Sequence, residues 1–264
     1  PPTVYRFLVR QDLSKYDLSL CQRFSTAGEA LNGEVFNKWF EKTGKKIYEG
    51  YGQTESTIIC GNFKDYSEIR PGSMGLPNPL YDVEVLDPDG KPVPRGEIGE
   101  LCIHVEKERP IGLLMGYHKN KELTDAAFEG GVYHTGDNVT QDEDGYVWFV
   151  GRKDDIIKSS GYRISPFEVE SVLQKHPAVM ECAVTGVEDP KRGMAVKASI
   201  VLSQDYVDRD PKEMEVEIST FARENTAMYK VPRIYEFLKE LPKTISGKIR
   251  RIAIREKDNK KEDK

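Results

Sequence analysis

Four short segments concentrate side chains able to handle a nucleotide, a phosphate or a hard metal ion. In Tyr48-Glu49-Gly50-Tyr51-Gly52-Gln53-Thr54-Glu55-Ser56, two glycines flank an aromatic ring, and a hydroxyl and a carboxylate follow. The glycines allow close backbone approach and leave the Tyr51 ring to stack on a flat heterocycle such as adenine. Thr54 and Glu55 offer the oxygen atoms that Mg2+ and phosphate take. A strand end running into a polar loop has the same composition. Tyr133-His134-Thr135-Gly136-Asp137 sets an aspartate directly after a glycine, where it can accept hydrogen bonds from a ribose diol; the same residues also suit an ordinary turn.

The third segment, Gly151 to Ile164, gathers Arg152, Lys153 and Lys158 with Asp154 and Asp155, then uses Ser160-Gly161 where something passes close to the backbone. A solvated charged hairpin is the alternative. The fourth, Leu241-Pro242-Lys243-Thr244-Ile245-Ser246-Gly247-Lys248-Ile249-Arg250-Arg251, is a glycine-flexed loop that presents Lys248. A lysine held as a mobile point charge suits negative charge developing on phosphate or carboxylate. A basic helix start, or a nucleic-acid contact through Arg250 and Arg251, would use the same residues.

The elements that must position these segments are legible in outline. Leu20 to Ala27 reads as a short buried strand, Glu34 to Phe40 as a helix and Ile47 to Tyr51 as a second strand, an order that implies layered α/β structure. Tyr81 to Leu86, Gly99 to Val105 and Tyr146 to Val150 alternate between tight turns such as Asp87-Pro88-Asp89-Gly90 and Asp142-Glu143-Asp144-Gly145. That pattern predicts a β-barrel or sandwich subdomain. Beyond Gly151, Ser165-Pro166 starts a helix, Ala178 to Val187 and Ala195 to Leu202 are strands, Pro211 to Asn225 is a helix and Ile234 to Leu238 a strand. A last element begins near Lys248, and Lys257 to Lys264 is charged enough to fray. The expected organisation is a partial α/β subdomain over 1–71, a barrel-like subdomain over 72–153 and a small C-terminal α+β domain over 154–264.

Several function classes are excluded. Lys plus Arg total 39 against 44 Asp plus Glu, so the charge of -5 gives no general attraction to nucleic acid. No GxGxxG opens a strand-helix unit and no Walker lysine loop occurs. Cys21, Cys60, Cys102 and Cys182 are widely spaced, which indicates neither a disulfide framework nor a zinc site, and His104, His118, His134 and His176 are too scattered in sequence to define a metal constellation. No apolar run approaches the roughly 18 residues of a membrane span, and a cytoplasmic setting is expected.

Taken in order, Y-G-Q-T-E, T-G-D, G-R-x-D-D-x-I-K-x-x-G-Y-R-I and P-K-T-x-S-G-K resemble the later core motifs of the adenylate-forming enzymes: acyl-CoA synthetases, peptide-synthetase adenylation domains and luciferases. The resemblance spans nearly the whole chain and is strongest to medium-chain acyl-CoA synthetases, through Ser159 to Glu170 and Pro242 to Arg251. It implies that Gly28, Glu29 and Ala30 form the loop beside the adenine, that Tyr51 stacks on it with Gly52 next to it in the nucleotide site, that Thr54 contacts phosphate and that Glu55 holds Mg2+. Asp137 and Arg152 would bind the ribose, and Asp154 would be a hinge between a large and a small domain. Lys248 would enter the active site for adenylation; Ser160, Gly161 and Tyr162 would replace it to line the path of CoA, with Arg163 used in both stages. Arg192 and Arg233 are weaker candidates for the phosphates or adenine of CoA.

The implied reaction uses ATP, Mg2+ and CoA to convert a fatty or other small hydrophobic carboxylic acid into acyl-CoA, AMP and pyrophosphate. An aryl-CoA ligase, a peptide-synthetase-like adenylation or a non-catalytic nucleotide-binding module are the alternatives. The glycine-, serine- and threonine-rich phosphate loop that the resemblance places upstream of Gly28 does not occur here. The chain is therefore expected to be a C-terminal portion, partnered by the rest of its large domain and without turnover by itself.

Overall fold

The computed structural model describes residues 1–64, 66–245 and 247–262. Ser246 of the Lys248 loop, and Asp263 and Lys264 of the charged tail, lie outside the described residues. The chain divides into two compact units, Pro1–Phe149 and Val150–Lys264.

The first unit opens with helix α1 (Pro2–Leu8), strand β1 (Phe24–Ala27), helix α2 (Gly33–Thr43) and strand β2 (Ile47–Gly52). Asn32 caps α2 by accepting the Glu34 N–H at 2.8 Å, and Gly44 ends it in the left-handed conformation at φ 64°. Apolar residues at helical spacing bury one face, where Trp39 meets Tyr5 and Phe24 edge-on at 5.1 and 4.9 Å between centroids. With α2 as the crossover, β1 and β2 pair in parallel from Phe24↔Ile47 to Ala27↔Gly50. The strand expected from Leu20 starts only at Phe24. Leu20 is 90% exposed, in a turn that precedes the exposed polar pair Gln22-Arg23.

Strand β3 (Ile58–Gly61) adds antiparallel to β2, and β4 (Leu76–Pro77) antiparallel to β3, for the order β1-β2-β3-β4. A second sheet contains β5 (Val83–Leu86), β6 (Gly99–His104), β7 (Val132–Gln141) and β8 (Val147–Arg152), in the order β5-β6-β7-β8, with helix α3 (Lys121–Ala127) between β6 and β7. The β-barrel expected here is not formed. The sheet is open, with β5 and β8 at its two ends and no pairing between them among the described residues. Alternation and tight turns specify hairpins, whereas closure needs a tilt and stagger that bring the last strand back to the first; four strands would also enclose no room for side chains. The apolar face is instead covered from outside the sheet. Ile59 and Cys60 of β3 and Met74 pack with Val85, Leu101, Ile103, Tyr133, Val139 and Val147 in one core.

The second unit holds β9 (Ile157–Ser159), β10 (Tyr162–Ile164), helix α4 (Pro166–Leu173), β11 (Val179–Asp189), β12 (Gly193–Leu202), helix α5 (Pro211–Asn225), β13 (Ile234–Phe237) and helix α6 (Arg251–Glu262). The strand order is β10-β9-β12-β11, with β13 parallel to β12. Ser165 caps α4 by accepting the Glu168 N–H at 3.1 Å, with Pro166 at the first helical position. Asp210 caps α5 through Lys212 and Glu213 N–H. Ile157, Ile164, Leu173, Val184, Ile200, Met214 and Ile218 form the core, each at 1% exposure or less. Truncating one of its isoleucines, Leu173 or Met214 to alanine would cost about 2–5 kcal/mol. The lysine-rich tail, expected to fray, stays helical as far as Glu262. No helix among the described residues is long and apolar enough to cross a membrane.

Candidate functional site

In the first unit, residues remote in sequence meet around one carboxylate. The Tyr51 hydroxyl, at the end of β2, donates to Asp137 Oδ2 at 2.5 Å, and Gln53 Nε2 donates to the same oxygen at 2.8 Å and to the Thr135 carbonyl at 2.7 Å. Tyr133 completes the group by donating to Gln53 Oε1 at 2.8 Å. Burial, and next the Asp137 charge, push the Tyr51 hydroxyl well above the ordinary phenol range, so Tyr51 is a donor at every physiological pH. Burial first and the Glu55 carboxylate second raise Tyr133 in the same direction.

The backbone explains why Asp137 is there. Thr135-Gly136-Asp137 lies inside β7, not in a turn between strands. The pairing shifts between Glu100↔Asn138 and Cys102↔His134, so the tripeptide bulges opposite β6. Gly136 takes φ 71° in this bulge. Its N–H donates to Glu100 Oε1 at 2.9 Å, while the Thr135 hydroxyl donates to the Leu101 carbonyl at 2.6 Å. Gly52 is equally constrained: a Cβ there would lie 2.3 Å from the Thr57 carbonyl oxygen.

Thr54 is exposed and Glu55 half-buried in the turn that follows. Tyr117 donates to Glu55 Oε1 at 3.1 Å, and the Glu55 carbonyl accepts the Leu114 N–H at 2.7 Å. The side-chain donors offered here are a carboxylate and a hydroxyl, a set suited to a hard cation carrying phosphate oxygens. Gly28, at φ 94°, begins the loop after β1. Glu29 pairs with Arg6 at 3.2 Å, and Ala30 leads to Leu31, whose N–H donates to the buried carboxylate of Glu49 at 2.9 Å. Burial pushes the Glu49 carboxyl up to about 8, against the opposing pull of the Leu31 N–H.

The second unit carries the remaining candidates. Ser160-Gly161 is a two-residue turn between β9 and β10, with φ 50° and 85°, and Tyr162 pairs with Ser159 across it. The Ser160 N–H donates to the Arg192 carbonyl at 2.9 Å, which fixes this turn to the β11–β12 connection. Tyr162 stacks on Tyr229 at 4.1 Å with 15° between planes, and Arg163 is exposed. Arg192 lies 3.6 Å from Asp189, whose carboxyl is held below its ordinary range first by the Lys191 N–H and also by Arg192 and Arg233. Arg152 and Asp154 are exposed, 3.5 Å apart.

Lys248 is exposed on a short hairpin, not on a helix. Lys243 bridges Ile249, the Thr244 N–H donates to the Lys248 carbonyl at 2.8 Å, and Gly247 turns at φ 86°. Three residues later Arg251 anchors α6. Its Nη2 donates to both oxygens of buried Glu170 on α4, at 2.9 and 2.8 Å, and Arg255 pairs with Asp155.

Gln53, Tyr133 and Tyr117 were not singled out from the sequence. Gln53 carried a signal in its chemistry: a side-chain amide between Gly52 and Thr54 can donate and accept at once, as bridging Asp137 to Tyr133 demands.

Residues 1–118 match the family described as AMP-binding enzyme, and residues 168–248 the one described as AMP-binding enzyme C-terminal domain. Among curated proteins, the chain is 50% identical over 257 residues to the mouse (Mus musculus) acyl-coenzyme A synthetase ACSM3, mitochondrial, and 49% identical to its human (Homo sapiens) counterpart. Those alignments cover 97% of this chain and 44% of each relative, so the chain spans less than half their length. Among solved structures, the anthranilate CoA ligase AuaEII in complex with anthranoyl-AMP superposes with a TM-score of 0.88 at 39% identity, over 97% of this chain and 48% of that one. ATP-bound MatB from Rhodopseudomonas palustris gives 0.85 at 28%, over 97% and 49%. A benzoate CoA ligase from Burkholderia xenovorans LB400 gives 0.83 at 33%, over 96% and 50%. Both curated relatives are named as mitochondrial proteins, which overturns the expected cytoplasmic setting.

Proposed function

We propose that the chain, whose residues 1–118 and 168–248 match the two AMP-binding enzyme models, belongs to that family and is the C-terminal portion of an acyl-CoA synthetase. The whole protein activates a carboxylic acid with ATP and passes the acyl group to CoA. In the first step a carboxylate oxygen attacks the α-phosphorus of ATP and the bond to pyrophosphate breaks, leaving acyl-adenylate. In the second the CoA sulfur attacks the acyl carbon, the bond to AMP breaks and the thiol proton passes to solvent.

The observation that carries this reading is the convergence of Tyr51 and Gln53 on the carboxylate of Asp137. It is a rigid acceptor, set by two donors, of the kind a ribose diol requires. Gly28, Glu29 and Ala30 flank the adenine, Tyr51 packs against it, and Arg152 meets the ribose. Glu55, oriented by Tyr117, is the residue that would hold Mg2+, and Thr54 contacts phosphate. When bound, that ion would neutralise phosphate oxygens. Lys248 offsets negative charge on the attacking carboxylate and the bridging oxygen. Ser160, Gly161 and Tyr162 flank the pantetheine of CoA in the second step, with Arg163 used in both and Arg192 and Arg233 toward the CoA phosphates. Asp154 is the hinge about which the second unit exchanges these two loops.

A fatty or other small hydrophobic carboxylic acid is the first reading, supported by the resemblance to medium-chain acyl-CoA synthetases and by the 50% identity to an acyl-coenzyme A synthetase. An aromatic acid is the second reading, supported by the anthranilate and benzoate ligases among the structural neighbours. A panel of both acid types separates them.

The test is Lys248→Ala in the full-length protein. Acid-dependent exchange of pyrophosphate into ATP should fall by about 10²–10³-fold, while transfer from synthetic acyl-adenylate to CoA persists. Undiminished exchange would overturn the assignment.

A further inference from the structure

Glu100 and Cys102 on β6 and His134 on β7 converge beside the Thr135-Gly136-Asp137 bulge, and the reaction proposed above uses none of them. One ligand atom from each lies within 4.8 Å of the other two. His134 Nδ1 sits 3.7 Å from Cys102 Sγ and 3.2 Å from Glu100 Oε2. A tetrahedral Zn2+ with bonds of about 2.3 Å to sulfur and about 2.0–2.1 Å to nitrogen and oxygen separates its ligands by about 3.6 Å for S···N and about 3.3 Å for N···O. Both separations recorded in the protein fall within about 0.2 Å of those edges.

We propose that Glu100, Cys102 and His134 form a binding site for a borderline-soft divalent cation of the Zn2+ class, with solvent as fourth ligand. Cys102 is fully buried and Glu100 nearly so, while the His134 side chain is 33% exposed and gives the ion its entry and its water. Binding replaces the Cys102 thiol proton, which leaves to solvent. Thiolate, carboxylate and neutral imidazole then balance the ion's two charges, as a partly buried site requires. The outer shell is already in place, because the second oxygen of Glu100 accepts the Gly136 N–H at 2.9 Å and so holds the carboxylate plane. Through that bond the ion would brace the bulge that presents Asp137. The scatter of the histidines in sequence hid this constellation, since pairing of β6 with β7 is what sets Cys102 opposite His134.

The site stands apart from the ligase reading, and its test needs no turnover. The 264-residue chain, carrying Cys21→Ser to remove its exposed competing thiol, is stripped with chelator and titrated with Co2+. Saturation is expected at one equivalent, with a near-ultraviolet thiolate-to-cobalt band and the intense visible bands of tetrahedral cobalt. Cys102→Ser should abolish the thiolate band. His134→Gln, at a partly exposed position, should weaken binding by at least the roughly 10–100-fold that loss of an outer-shell partner causes. Absence of a saturable band in the Cys21→Ser protein overturns the proposal, as does unchanged affinity in His134→Gln.

Discussion

Glu49→Gln tests whether the carboxyl that accepts the Leu31 N–H, in the loop after β1, is held uncharged by burial. The Glu49 side chain is fixed by the Leu31 N–H at 2.9 Å, and the residue is 7% exposed. In the folded protein its proton is retained up to about pH 8, whereas the unfolded chain releases it near 4.5. Between those values the native state holds one more proton than the unfolded state, so this residue makes stability fall as pH rises. Below about 4.5 and above about 8 it contributes no slope. The slope is about 1.4 kcal/mol per pH unit, so the roughly 3.5 units between the two pKa values amount to on the order of 5 kcal/mol. Glutamine keeps an oxygen for the Leu31 N–H and cannot ionise. Urea unfolding at pH 5.5, 6.5 and 7.5, followed by the fluorescence of Trp39 and Trp148, reads this unit, because both tryptophans of the chain lie in it. The stability of the variant relative to wild type should improve by about 3 kcal/mol from the lowest to the highest of these pH values. Other titrating groups cancel in that difference. A difference that stays flat within about 0.5 kcal/mol would refute the reasoning and leave Glu49 ionised in the fold.

Glu170→Ala removes both acceptors of the Arg251 guanidinium; with Arg251 side-chain exposure at 25% and Asp155 still 3.9 Å away, the loss should be about 2–3 kcal/mol, below the 3–5 of a fully buried pair, measured by calorimetry of the whole chain. Gly75→Ala would set a Cβ 2.1 Å from the Gly61 carbonyl at φ 85° and should cost more than about 3 kcal/mol in urea unfolding, whereas Gly90→Ala, at φ 76° with no atom within 4 Å, should cost only about 1.

Where a local signal and a local structure coincide, the sequence was enough. Pro211–Asn225 has the same bounds in the fold as in the sequence because Asp210, Pro211 and the apolar spacing mark it without help from distant residues. Ser165-Pro166 marks the start of α4 in the same way. Features set by pairing were not readable. Thr135-Gly136-Asp137 has turn chemistry, yet it bulges within a ten-residue strand, because β6 supplies Glu100 and Leu101 as partners for its backbone and hydroxyl. Strand β4 is two residues long and has no periodicity to detect. The open edges of the second sheet depend on which strand fails to meet which, and alternation is silent on that. At the candidate site, the motif residues were legible one by one, but the bond between Tyr51 and Asp137 joins positions 86 residues apart.

The tight reversal at Ser160-Gly161 also governs what the segment after it can become. Both of its residues sit in the left-handed region, which matches the twist of β9 and β10 and leaves the hairpin no slack. One residue added there would slide β10 by a single step and turn it over, bringing Arg163 to the side where Tyr162 now lies on Tyr229. The guanidinium and the phenol would trade surroundings without either being mutated. Length at this corner therefore decides what surrounds Tyr162 and Arg163 as much as residue type does.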